Sequence, residues 1–145
     1  MNWKAEATEK LRRYHAMQLA TMNLPQEIHR LTLDARRIRS ARTDSTPVSG
    51  GGNGREEALL NNLIHRQELE NALKQAKLWT GSTERALSVL QPGEKLVLHR
   101  LLICPERGAV EKLCEELDLE ASSVYRKRDE ALKNFTLAYY GTVEQ

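Results

Sequence analysis

The sequence predicts an all-α protein: an N-terminal helical hairpin or coiled coil followed by a compact C-terminal bundle of short helices. Three observations carry this expectation. Leu, Ala, Glu, Lys and Arg dominate the 145 residues, aromatic content is only 5%, and no long run of β-branched residues occurs; this mix favours helix over strand. Apolar residues recur at three- and four-residue spacing, the period of one helix face. Breakers punctuate the chain at 43–54, TDSTPVSGGGNG, and again at Pro92-Gly93, dividing it into helical stretches.

Taken in order, residues 3–23 form the first helical stretch, with an imperfect stripe of Leu11, Tyr14, Met17, Leu19 and Met22. Pro25 marks a break or the first turn of a second helix over 25–41, whose face carries Ile28, Leu31, Ala35 and Ile38. Composition then changes abruptly, and 43–55 is expected to be a flexible loop. A glycine-rich stretch before a helix can cradle phosphate, but the Lys-Ser/Thr of a P-loop and a preceding strand are missing.

From Glu56 a long helical pattern extends to about Leu90. Leu59, Leu60, Leu63 and Ile64 lead its stripe, and Leu69, Ala72, Leu73, Ala76, Trp79, Thr80, Thr83, Ala86, Leu87 and Leu90 continue it. Gly81 weakens the middle by about 1 kcal/mol relative to Ala and marks a kink or a break near Thr80 to Ser82. Helix 25–41 is expected to fold back on this helix. Two helices alone rarely make a sufficient core, so the stripes either fill that core or leave apolar surface for another copy or another protein.

The C-terminal third is the most informative. Pro92 suits the first turn of a helix reaching about Ile103, and Leu96, Val97, Leu98, Leu101, Leu102 and Ile103 are more apolar residues than one face needs. After a connector at 104–108, a helix over 109–117 buries Val110, Leu113, Cys114 and Leu117. Leu119 plugs a turn, and a last helix over 121–139 buries Val124, Ala131, Leu132 and Phe135. This is the spacing of a helix-turn-helix. With Val124 inward, Ala121, Ser122, Ser123, Tyr125, Arg126 and Asp129 face outward. Small residues at the helix start let the backbone approach a DNA groove. Arg126 can reach guanine O6 and N7, and Ser123, Tyr125 and Arg128 suit phosphate contacts. The plain alternative is that Arg126-Lys127-Arg128 is a solvated face of an ordinary small bundle.

Here the chain resembles a known family. The pattern LxPxEKxVLxR at 90–100, followed by LCEELDLEASSVYRKRDEALKNF, looks like region four of bacterial sigma factors. With VYRKRDEALKNFTLAYYG and the charged N-terminal half, it is similar to phage regulators of the ArpU and RinA type, small sigma-like proteins of prophages thought to activate late genes. The region-four resemblance covers roughly 87–135. It implies DNA contacts at Ala121, Ser122 and Arg126, and backbone contacts from Arg100, Ser123, Tyr125 and Arg128. It also implies double-stranded DNA and host RNA polymerase as partners. Three departures stand out: a longer connector at 104–108, Ala109 where a capping Ser or Thr is usual, and short side chains at Ala121 and Ser122. The last makes a promoter element read through shape and backbone the expectation.

The expected organisation is thus a helical hairpin domain over 1–86 with its loop at 43–55, a DNA-binding domain over 87–140 and a tail at 141–145. Net charge is only +2, so nucleic-acid binding rests on where charges sit. Glu111, Glu115, Glu116, Asp118 and Glu120 make the first helix of the motif acidic, a surface that suits a basic protein partner such as RNA polymerase. Arg36, Arg37, Arg39 and Arg42 end the helix at 25–41, either stabilising its C-terminus or contacting phosphate. Cys104 and Cys114 lack CxxC spacing and read as ordinary thiols. His15, His29, His65 and His99 lie at no ligand spacing. No catalytic residue, metal or cofactor is expected. No signal-like or membrane-length apolar stretch is seen, so the expected location is the cytoplasm. The expected function is a sequence-specific, phage-type transcriptional regulator, with a homodimer through the N-terminal helices as a further expectation. The alternative is a helical protein-interaction module whose helix-turn-helix no longer binds DNA.

Overall fold

The computed structural model describes residues 2–41 and 51–143, with the backbone alone at 51–53. Every regular element among them is helical: α1 (Trp3–Ser40), α2 (Gly51–Ser88), α3 (Pro92–Leu98) continuing into a π-helical turn (His99–Ile103), α4 (Ala109–Leu117) and α5 (Ala121–Tyr140). The chain divides into two compact units, Met1–Gln18 with Leu78–Gln145 and, separately, Leu19–Lys77. They are called the terminal and the medial unit below.

In the medial unit, α1 does not break at Pro25, contrary to expectation. Proline removes one N–H and crowds the carbonyl four residues back, costing about 3 kcal/mol in a free helix. The turns on both sides are nevertheless committed to burial: Thr21, Leu24 and Ile28 are half-buried, and Leu31 and Ala35 are buried. The expected loop at 43–55 is also shorter at its far end. Residues 42–50 lie outside the described residues, but α2 already begins at Gly51. The Arg55 guanidinium donates to the Ala41 carbonyl at 3.4 Å, and the Asn62 amide donates to the Leu31 carbonyl at 2.8 Å. These two contacts make the stretches antiparallel.

The stripe of α2 differs from the one expected. Leu60, Leu63 and Ile64 are exposed, while the inward row is Leu59, Asn62, Arg66, Leu69, Leu73 and Ala76. Four apolar residues at 59, 60, 63 and 64 are wider than one face. The row that packs is the one that also takes in Leu69, Leu73 and Ala76 at alternating three- and four-residue steps. Asn62 falls on that row, and its hydrogen bond offsets the cost of burying an amide.

The terminal unit has one main core. Ala7, Leu11 and Tyr14 of α1 meet Ala86 and Leu90 at the end of α2 and its exit. They also meet Leu98, Leu102 and Ile103, and Ala131, Leu132 and Phe135 of α5. The first turns of α1 and the last turns of α2, which lie before the boundary expected at 86/87, are built into the same core as α3 and α5. Gly81 leaves α2 unbroken, because Thr80, Thr83 and Ala86 around it are all buried. The helix expected over 92–103 widens at its end, where the Cys104 N–H donates to the His99 carbonyl at 2.8 Å. The wider turn lets Leu102 and Ile103 be buried together with Leu98. Glu94 is buried but satisfied: Gln91 N–H donates to Oε1 at 3.1 Å and Asn134 Nδ2 to Oε2 at 2.7 Å, which ties the start of α3 to α5.

A fragment beginning at Leu87 would therefore lack Ala7, Leu11, Tyr14 and Ala86 of this core. It is expected to unfold without a cooperative transition in circular dichroism, whereas the full chain gives one. A cooperative transition in the fragment would show that those residues are dispensable.

Tyr14 supplies a second check on the same packing. Its O–H donates to Glu84 Oε1 at 2.9 Å, and Gln18 Nε2 donates to its oxygen at 3.0 Å. Burial first, then the hydrogen bond and charge of Glu84, push its pKa far above the ordinary 10.0. A phenol held neutral by the fold contributes stability that is complete below pH 10 and lost as pH rises beyond it. Subtracting the ultraviolet phenolate titration of Tyr14→Phe from that of the parent should leave a curve centred well above pH 10. A difference curve centred at or below 10 would contradict this packing.

Candidate nucleic-acid interface

The candidate surface is built by α4, the turn after it and the first turns of α5. Gly108 enters α4 in the left-handed region at φ 73°, and no side-chain oxygen caps the helix. Ala109 and Leu113 are buried, with Val110, Cys114 and Leu117 half-buried on the same face. Asp118 ends α4 at φ 54°, the left-handed conformation that Asp tolerates better than most side chains. The Leu119 N–H then donates to the Cys114 carbonyl at 3.1 Å. That reversal places Leu119 against Val97, Leu113 and Val124. Glu120 is extended, and its carbonyl accepts from the N–H groups of Ser123 and Val124, both at 3.0 Å, which starts α5.

Val124 is 0% exposed, and this sets the rotation of α5. At 100° per residue, Ser122, Arg126 and Asp129 lie on the opposite side. Ala121, Ser122, Tyr125 and Arg126 are exposed, and Ser123 and Arg128 are half-buried. Six of the seven residues singled out from sequence thus share the first turns of one helix. The seventh, Arg100, sits on the π-helical turn, its side chain 23% exposed and its guanidinium 2.8 Å from Glu116 Oε1.

Two features escaped the sequence reading. The stem of Lys127 lies across Gly93, where a Cβ would come within 2.8 Å of Lys127 Cε. A larger residue at 93 would only require the flexible end of Lys127 to move aside. The second is Lys4 of α1, whose Nζ is 3.0 Å from Asp129 Oδ1. The same oxygen accepts from Arg128 Nε at 3.3 Å and Nη2 at 3.2 Å, and the Arg128 guanidinium stands 5.2 Å from the Tyr125 ring centre. Partial burial works to raise the Asp129 pKa, but hydrogen bonds and charge from Lys4 and Arg128 outweigh it and hold the carboxyl below 3.8. No local pattern could have paired a residue of the first helical turn with one near the C-terminus.

Exposed carboxylates flank the surface at Glu111, Glu115, Asp118 and Glu120. Arg36, Arg37 and Arg39 are exposed but belong to the medial unit, and Arg42 lies outside the described residues. Cys104 and Cys114 are half-buried free thiols. Among the described residues, no helix is long and apolar enough to cross a membrane.

No family model, curated protein or solved structure matches the chain.

Proposed function

We propose that the chain is a sequence-specific DNA-binding regulator of transcription, with α4 and α5 as a helix-turn-helix and the first turns of α5 entering the major groove. The observation that carries this reading is the pairing of a fully buried Val124 with an exposed Arg126 on the other side of α5. A helix so rotated offers small residues, Ala121 and Ser122, where backbone meets groove, and one long cation for a guanine edge. The resemblance to sigma region four and to ArpU- and RinA-type phage regulators supports the same reading. It extends it to activation of phage late genes together with host RNA polymerase, for which the exposed Glu111, Glu115 and Asp118 offer an acidic contact.

A second copy is the proposed partner of the medial unit, consistent with a helical hairpin or coiled coil as its architecture. Among its described residues, the large apolar Leu19, Met22, Leu33, Leu60, Leu63 and Ile64 are exposed, against Leu31, Ala35 and Ala76 as buried and Leu24, Ile28, Ile38, Leu59, Leu69 and Leu73 as half-buried apolar residues. That imbalance is unusual for an isolated hairpin.

Binding to duplexes from the upstream regions of neighbouring genes tests the main reading. Retention of one duplex over random sequence, at fixed salt, is the expected result. One observation favours the other reading, a protein-interaction module: Asp118 and Glu120 stand exposed in the turn before α5, where they repel phosphate. Absence of any duplex binding would decide for it.

A further inference from the structure

The geometry points to a phosphate-binding site that reaches beyond the two helices proposed to dock on DNA: Lys4 at the start of α1 joins Arg128 on α5 in a two-cation clamp for a backbone phosphate of duplex DNA, with Asp129 as the anion that occupies both in the free protein. This rests on the DNA-binding reading above.

Lys4 Nζ and the Arg128 guanidinium both turn to the same oxygen, Asp129 Oδ1, at 3.0 Å and at 3.2–3.3 Å. One carboxylate thus holds two cations, and the cluster carries an excess positive charge. A lysine ammonium has three donors and a guanidinium five, more than one carboxylate oxygen can occupy. The Lys4 and Asp129 side chains are each 45% exposed, so an incoming anion can reach the remaining donors. Arg128 is also steadied by the face of Tyr125, which limits the freedom it would lose on binding.

Asp129 lies three residues beyond Arg126, about 4.5 Å further along α5 at 1.5 Å per residue. It is on the same side of the helix as Ser122 and Arg126. A major groove about 12 Å wide admits only the first turns of a 20-residue helix placed end-on. Side chains one turn past the base-reading residue then meet the phosphate wall of the groove. Lys4 is carried there by α1, whose first turns belong to the same unit as α5. Thr8 and the exposed Arg12 follow Lys4 at four-residue intervals and extend a polar strip on one side of α1, with the exposed Glu9 beside it. The N-terminal turns thus take part in binding as well as in packing, and the contact sets register without reading sequence.

Two substitutions break the same Lys4–Asp129 ion pair but have opposite consequences for DNA. In the full-length protein, Lys4→Gln is expected to weaken binding to a random-sequence duplex and to a selected duplex by the same factor. It should lower the slope of log affinity against log salt by about one. Asp129→Asn, which removes the competing anion and leaves both cations, is expected to bind either duplex as tightly as the parent or more tightly, with no loss of slope. Anisotropy titrations across a salt series read both. Equal losses in the two variants would mean that the ion pair only holds α1 to α5, and would overturn the clamp. So would an unchanged slope in Lys4→Gln while the parent binds with Arg126-dependent selectivity, a result that leaves the DNA-binding reading standing. A parent that binds no duplex overturns both.

Discussion

Phe135→Ala is expected to destabilise the terminal unit by about 3–5 kcal/mol, the usual cost of emptying a buried phenylalanine site. Phe135 is fully buried at the meeting point of α1, the end of α2, α3 and α5. Its ring centre lies 5.8 Å from that of Tyr139, a pairing whose loss adds to the cavity. Because the lost contacts reach α1 as well as the C-terminal helices, both ends of the chain should respond together in denaturant unfolding. Leu137→Ala, two residues away but 42% exposed, should stay within about 0.5 kcal/mol of the parent. If the two variants unfolded at the same denaturant concentration, the described core would be wrong.

Arg126→Ala is expected to cost about 1–3 kcal/mol of binding to a selected duplex and to relax the preference at one base position. Arg126 is exposed on α5, so its removal leaves no cavity, and the melting temperature should hold. Arg126→Lys is the sharper comparison. It keeps the charge but loses the planar fork that pairs with a guanine edge. Random-sequence affinity should therefore survive in Arg126→Lys while selectivity falls nearly as far as in Arg126→Ala. Parent-like selectivity in either variant would move the base-reading role to another face.

The C-terminal helices were the most legible part of the chain. The helices expected over 109–117 and 121–139 are observed as Ala109–Leu117 and Ala121–Tyr140. Their limits are local: a glycine at 108, a turn centred on Asp118, and an apolar period that restarts at Val124. The same locality made Ala121, Ser122, Tyr125 and Arg126 readable as exposed positions, since one buried residue sets the rotation of a whole helix.

The long helices were less legible, for reasons that lie in competition between faces and not in propensity. Pro25 is a strong local stop signal, yet burial of residues before and after it keeps α1 in one piece. Leu60, Leu63 and Ile64 are better core residues than Asn62 by type, but Asn62 stands on the row that continues to Ala76. The π-helical turn at His99–Ile103 answers an excess of apolar residues, and only the depth of the surrounding core makes the wider turn worthwhile.

By itself, then, the amino-acid order determined helical class, the limits of the short helices and the outward side of α5, because each follows from period and punctuation within a few residues. Tertiary structure alone decided which row of α2 is inward, that Ala7, Leu11 and Tyr14 share a core with Phe135, and that Lys4 meets Asp129. Those choices depend on contacts between segments far apart in the chain, where burial of one complete surface outweighs the preference of any single residue.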